Sequence, residues 1–486
     1  MHCLLPIDAF MKAYTKYTSL ISNIYKCRIA IYGHSASPAH RSAVQSVPRI
    51  QKQIMSPDSR LKSNIFALYA VQGLNYLVSF VTFPFLLVQL GTEGFGVMNF
   101  AFASIQYGVL LTDFGFNLSA VRDVAQARDN PKEAARIFWR VTWAKTLLMV
   151  ASSLILLGLT FALGSWQQHA SIFLWSQLYI VSSVLFPIWY FQGQEKLQLA
   201  AGLMVFARAL TLGFLLLWVS GPQDLALAVI LQAAPQILAG LLWWFTGWGA
   251  PKPEWVRVQW RELKGALRAS WPFFLSAIST SLYTTSTTVL LGMFAAPLQV
   301  GLFAAANKLV YIAQGLIGPL VQATYPRIAQ LAVNDKPAAI QLIKKAFRIQ
   351  GAVGLLMTLA LALFLPLLTP LCVQLFGADF GLSRAFLALN NSQNVMVWLS
   401  PVILLGALSL VYGQQTLLVF GFERYFSRVL VAAGLLNMAL MCWWVPGSAQ
   451  GGLRAAQSVL TVEAFIVLAF WWRARKIHAE HGGLNK

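Results

Sequence analysis

Charge is what this sequence has least of. Only 11% of its 486 residues are Asp, Glu, Lys or Arg, against 58% hydrophobic, and a soluble chain of this length needs far more polar surface to cover itself. A soluble domain is therefore excluded, and a polytopic all-α membrane protein remains. Acids are scarcer still, 16 against 36 Lys and Arg, giving a net charge of +20. The positive residues form no stripe with interleaved aromatics, so nucleic acid is not a partner; they alternate with apolar runs and report topology. The four cysteines (Cys3, Cys27, Cys372, Cys442) have no metal-ligand spacing and read as packing residues, with no metal or cofactor implied. No glycine-rich phosphate loop suggests ATP as a driving force. Long outer loops are missing too: the longest, around Phe376 to Ser392, has about 16 residues, which leaves no room for an extracytoplasmic catalytic domain. That argues against an enzyme such as a polysaccharide polymerase or ligase.

What is there begins with a basic leader. Residues 1–54 hold seven Lys or Arg and one acid, Asp8, with no run long enough to span; Met55 looks like a natural start, and the leader is expected to be disordered or a mis-assigned start. Twelve apolar segments of spanning length follow, near 65–90, 95–118, 140–163, 170–191, 198–219, 225–247, 271–294, 299–321, 349–371, 394–418, 428–446 and 453–472. With Arg60 and Lys62 placed inside, the inner segments after Met55 carry 24 Lys or Arg and the outer loops 2, which predicts both termini in the cytoplasm. The expected units are an N-terminal six-helix bundle over 55–250, a cytoplasmic linker over 251–270, and a C-terminal six-helix bundle with a basic tail over 271–486. In the linker, Val256, Trp260, Leu263, Leu267 and Trp271 recur at helical spacing opposite Arg257, Arg261, Lys264 and Arg268, the pattern of an interfacial helix on anionic lipid or of a solvated linker helix.

An internal repeat supports two bundles. Gly96 precedes Arg122 by 26 residues and Gly301 precedes Arg327 by 26, an offset of 205; similar connectors follow, RDNPKEAARIFWR (128–140) and VNDKPAAIQLIKKAFR (333–348). Six plus six helices of the same orientation imply a parallel repeat with the substrate site between halves. The second segment carries a polar seam of Asn99, Gln106, Asp113 and Asn117 on one face. With Gln72, Tyr76, Ser79 and Thr82 in the first, Ser276, Thr280, Tyr283 and Thr287 in the seventh, and Asn307, Tyr311, Gln314 and Gln322 in the eighth, it predicts a polar cleft walled by those four helices. The third, ninth and eleventh segments have far fewer polar groups at mid-depth.

Four charges lie well inside spans: Asp113, Arg208, Lys308 and Glu463. Lys145 is close enough to the inner end of its segment to snorkel. Lys308 is not, lying roughly 20 Å above the inner end of the eighth helix at 1.5 Å per residue, and a cation fixed there suits an anionic ligand. Asp113 is either a functional carboxylate or the local partner of Arg122. Glu463 is a candidate coupling-ion or titrating group, or else a structurally paired one.

The sequence resembles the O-antigen and related polysaccharide flippases (Wzx-type) of the multidrug/oligosaccharidyl-lipid/polysaccharide exporter superfamily, from Ser63 to about Arg475. The resemblance is carried by GTEGFGVMNFA (91–101), QYGVLLTDFGFNLSAVRDVA (106–125), WYFQGQEKL (189–197), SLYTTSTTVLLGMF (281–294), VGLFAAANKLV (300–310) and QGLIGPLVQATYPRI (314–328). It implies twelve helices in two bundles around a V-shaped cavity. Its implied task is moving an undecaprenyl-pyrophosphate-linked oligosaccharide across the bacterial inner membrane by alternating access, with a polysaccharide polymerase as a candidate partner. It further implies that Lys308, Arg208 and Arg122 meet the pyrophosphate and that Tyr283, Asn117 and the seventh-helix hydroxyls meet sugar; the polar pattern itself puts Asn307 in the same cleft, and the buried carboxylates Asp113 and Glu463 are the candidates for coupling to an ion gradient. A drug antiporter of the same superfamily is the nearest competitor, but a cleft for organic cations should be walled by carboxylates rather than by Lys308 and Arg208.

Overall fold

A hydrocarbon core supplies no partner for backbone N–H or C=O groups, so an apolar run of spanning length has to close its hydrogen bonds within itself. Accordingly, in a computed structural model that describes residues 57–247, 252–377 and 381–481, every regular element among the described residues is helical. The basic leader lies outside the described residues, as do the side chains of 57–77 and of Tyr283.

The helices make twelve passes, labelled here α1 (57–90), α2 (92–113 and Phe116–Gln126), α3 (Pro131–Ala162), α4 (four short pieces from Gly164 to Gly193), α5 (Leu197–Trp218), α6 (Leu225–Thr246), α7 (Trp260–Thr284 and Ser286–Phe294), α8 (Pro297–Gly315 and Gly318–Asn334), α9 (Lys336–Phe376), α10 (pieces from Gly381 to Leu418), α11 (Glu423–Trp444) and α12 (Gly451–His481). Among the described residues, ten stretches are long and apolar enough to cross a membrane by length and composition. One of them, Val78–Gln126, joins α1 to α2 across Gly91 (φ 69°), and the hydroxyl-rich α7 makes up the twelfth pass.

The repeated connectors start helices in the same way. Asn130 accepts from the Glu133 N–H (3.2 Å) ahead of Pro131, and Asp335 accepts from the Ala338 N–H (3.0 Å) ahead of Pro337, an acceptor cap followed by a proline that has no N–H to lose. The repeated glycines meet. A Cβ on Gly96 would collide with the Pro297 carbonyl oxygen and one on Gly301 with that of Thr92, so α2 and α8 cross backbone to backbone between equivalent residues of the two halves. A core shared by both halves surrounds this crossing, with Phe95, Phe100, Phe303, Ala305 and Leu399 buried.

At the opposite face, where the basic segments gather, the halves join again. Helix α2 breaks at Phe114 (φ 42°) and Gly115 (φ 79°), and Gly115 abuts Phe273 and Phe274 of α7 too closely for any side chain. Ser119 and Ser270 share a hydrogen bond of 2.6 Å, and the Tyr107 hydroxyl donates to the Ser281 carbonyl (3.2 Å). The linker differs from the expected interfacial helix over Val256–Trp271. Residues 252–259 are non-helical, and the helix starts only at Trp260 and runs unbroken into α7. Part of the apolar face is covered by protein: Leu263 is buried and Leu267 half-buried in the N-half core beside Phe138 and Trp189, while Trp260 and Trp271 of the same face stay exposed. The Trp139 indole donates to the Glu254 carbonyl (2.8 Å), Trp255 stands edge-on to Trp139 (4.4 Å), and Arg136 pairs with Glu262, which clasps the linker to α3.

Candidate functional site

Two cavities, one in each half, take up part of the polar side chains expected in the cleft; Gln106, Asp113, Asn117, Ser276, Thr280 and Gln322 line neither. The larger, 300 Å³, is walled by α1, α2, α4, α5 and α6. Arg208 on α5 and Lys308 on α8 both line it, with Asn99, Tyr179, Thr211, Gln232 and Gln236. Lys308 is the single contribution of the C-half, and its ammonium has no hydrogen-bond or ion-pair partner among the described residues. Two cations therefore converge on a space that also offers amides, hydroxyls and aromatic faces.

The smaller cavity, 160 Å³, is built by the C-half alone and is lined by Glu463 with Thr284, Thr287, Asn307, Tyr311, Gln314 and Asn437. Asn437 on α11 ties its wall together: its amide donates to Ser286 (3.2 Å) and Thr287 (2.9 Å), and its oxygen accepts from Ser458 of α12 (3.1 Å). Beyond this cavity, Gln350 of α9, Gln415 in the π-helical part of α10 and Thr324 of α8 form a buried chain of 3.3 and 3.0 Å hydrogen bonds. The two cavities are copies. Ser79 and Thr284, Thr82 and Thr287, Met98 and Phe303, and Phe102 and Asn307 stand 205 residues apart, and each member lines the cavity of its own half.

Of the residues singled out in the sequence, the structure brings Lys308 and Arg208 together and places Asn307 and Glu463 together in the other cavity. Arg122 does not join the cations: it pairs with Asp123 (3.0 Å) near the basic end of α2 and lines neither cavity. Asp113 pairs with Lys145 (2.8 Å) rather than with Arg122, and accepts from Asn117 (3.0 Å). Lys145 does not snorkel. It is buried, with a second bond to the Ser183 carbonyl (2.8 Å), because α2 and α4 flank it with an acceptor each. Asp113 is thus engaged in a part-buried ion pair at the α2 break. Sequence reasoning missed the contributions of α4, α6 and α11, and those of α5 other than Arg208. Asn437, a lone amide in an apolar helix, and the Gln232/Gln236 pair four residues apart were the available signals.

The comparisons with known proteins bear on what such a site does. A family model described as "Polysaccharide biosynthesis protein" matches residues 61–332. A protein of Escherichia coli (strain K12) named "Putative O-antigen transporter" is 31% identical over 386 residues, covering 78% of this chain and 89% of the relative. A protein of the same name from Shigella dysenteriae is 28% identical over 384 residues, covering 78% and 91%. Among solved structures, an inward-facing multidrug resistance MATE family transporter of the MOP superfamily aligns with a TM-score of 0.62 at 13% identity, covering 83% of this chain and 95% of its own. The lipid II flippase MurJ in an inward closed conformation aligns at 0.53 and 11%, covering 86% and 89%. At these identities the structural likeness speaks for the fold.

Proposed function

The chain belongs to the polysaccharide biosynthesis protein family, the Wzx-type flippases of the multidrug/oligosaccharidyl-lipid/polysaccharide exporter superfamily, and from that premise we propose that it carries an undecaprenyl-pyrophosphate-linked oligosaccharide from the cytoplasmic to the periplasmic leaflet of the inner membrane by alternating access. It is a transporter, not an enzyme. The observation that carries the reading is the meeting of Arg208 and Lys308 in one cavity. A pyrophosphate taken out of water needs fixed cations, a guanidinium fork and an ammonium are the two groups best suited to it, and two cations repel an organic-cation cargo. Asn99, Gln232, Gln236 and Tyr179 then supply the amides and aromatic face that a sugar next to the pyrophosphate requires. The lipid tail stays in the bilayer. Lys and Arg, 24 on one side against 2 on the other, support cytoplasmic termini.

A gradient drives the cycle in this reading, through a cation at Glu463 in the second cavity. Asp113, held by Lys145, is left to structure. The test is the sidedness of the lipid-linked repeat unit in a deletion strain of the source organism, read by glycosidase or lectin access in spheroplasts with detergent-opened controls. The expected result is a completed unit that stays protected until detergent is added and becomes accessible when the protein is restored. Units that reach the outer face without the protein would overturn the reading, and transport that survives collapse of both the proton and the sodium gradient would overturn the coupling.

A further inference from the structure

The cavity assigned to the pyrophosphate belongs to the N-half in every lining residue but Lys308, and how that ammonium gets there is visible along α8. Gly301 and Lys308 are seven residues apart on Pro297–Gly315 and so share a face, roughly 10 Å apart along the axis. Gly301 is pressed on the α2 backbone: its N–H nitrogen lies 2.7 Å from where a Gly96 Cβ would be, and the Thr92 carbonyl leaves no room for a Cβ of its own. Ala304 and Ala305, between the two, are buried with methyl side chains only. Lys308 is thus the first long polar side chain that α8 offers to the N-half beyond the crossing, and its counterpart in the repeat, 205 residues earlier, is Ala103.

We infer that Gly301 is a positioning residue of the anion site: its backbone contact with α2 holds Lys308 over the N-half cavity beside Arg208, so the two-cation site is whole while the halves are closed at the Gly96 end and splits into single cations when they part there. The inference rests on the pyrophosphate reading. Its consequence is a cargo held tightly in one state and released in the other, because a ligand shifts a two-state equilibrium by the difference in its affinity for the two states, and Lys308 supplies that difference.

The test uses inorganic pyrophosphate as probe and calorimetric titration of the purified full chain in lipid nanodiscs, for the unsubstituted protein, Lys308→Ala, Gly301→Ala and the double variant. Gly301→Ala touches no lining residue, yet should weaken binding about as much as Lys308→Ala, on the order of tenfold for a lost charge-assisted contact. The double variant should bind no more weakly than either single one, since both remove the same interaction. Gly301→Ala binding like the unsubstituted protein, or a double variant whose losses add in full, would overturn the inference while leaving the anion site intact. If the unsubstituted protein does not bind pyrophosphate, or Lys308→Ala leaves binding unchanged, the anion reading itself fails. Should Gly301→Ala not fold, nitroxides at Glu93→Cys and Leu298→Cys, with the four native cysteines changed to serine, report the crossing directly. Saturating pyrophosphate is expected to shift their distance distribution toward the closed value with Lys308 present and not in Lys308→Ala; a distribution that bound pyrophosphate leaves unmoved would overturn it.

Discussion

The two cavities occupy equivalent places in two halves built on one pattern, and they differ in the ionisable groups they hold. In the N-half copy, Arg208 and the borrowed Lys308 make the lining positive; in the C-half copy, Glu463 stands among neutral hydroxyls and amides. Four lining pairs keep the 205-residue offset, Ser79/Thr284 and Thr82/Thr287 even in side-chain type, so the repeat sets where the cavities are. What each can hold depends on Arg208 and Glu463 and on positions that broke the repeat, Lys308 against Ala103 and Asn307 against Phe102. The buried polar locks differ in the same sense. The N-half uses an ion pair, Asp113–Lys145, whereas the C-half uses the uncharged amide of Asn437.

The sharpest way to break the comparison is to neutralise one cavity at a time. Lys308→Ala is expected to abolish translocation in the sidedness assay without loss of folded protein, and Lys308→Arg to keep part of it, since the charge stays but the ammonium geometry changes; full activity in the alanine variant would remove Lys308 from the site. Glu463→Gln should do less and something different. Pyrophosphate titration should be unchanged, while transport falls to the level of unsubstituted protein with collapsed gradients. A glutamine variant that still answers to a gradient would move the coupling away from the C-half cavity.

Twelve passes and the repeat were legible because they depend on residue type at a given position, and the bilayer punishes exceptions heavily. Pairing was not legible. Asp113 is nine residues from Arg122 and 32 from Lys145 in sequence, yet the break at Phe114–Gly115 turns the chain so that Lys145 is the near partner. The linker pattern marked an apolar face, but periodicity does not show what lies over it: Leu263 is buried against the N-half core while Trp260 and Trp271 stay exposed. Asn437 escaped because one amide in a span makes no pattern, although it organises three hydroxyls at once.

The locks extend the comparison to stability. Lys145→Ala leaves Asp113 part-buried and unpaired and is expected to cost about 3 kcal/mol, with Lys145→Met combined with Asp113→Asn recovering most of it in a thermal melt; equal losses in both would show that packing, not charge, is what Lys145 supplies. Asn437→Ala strips partners from Ser286, Thr287 and Ser458 and should cost about 1 to 2 kcal/mol, with pyrophosphate binding unaltered because that cavity is in the other half.

The smallest effect is expected where the halves are merely strapped together. The Arg136 guanidinium bonded to Glu262 holds that carboxyl below the ordinary glutamate range. A carboxyl with a lowered folded value adds stability that is present above its unfolded value and is lost as pH falls through the folded one. Arg136 is half exposed, so solvent screens the pair, leaving it too weak to unfold the protein but enough to loosen the clasp locally. Hydrogen-exchange protection over 254–262, corrected for the intrinsic rate, should therefore be constant above the ordinary glutamate range and fall on acidification below it. Glu262→Gln should show the lower protection at every pH and no titration. The indole bond from Trp139 to the Glu254 carbonyl carries no charge and persists through that change. An acid-induced loss of the same size in Glu262→Gln would assign the response to another group and leave the aromatic contacts as the whole of the strap.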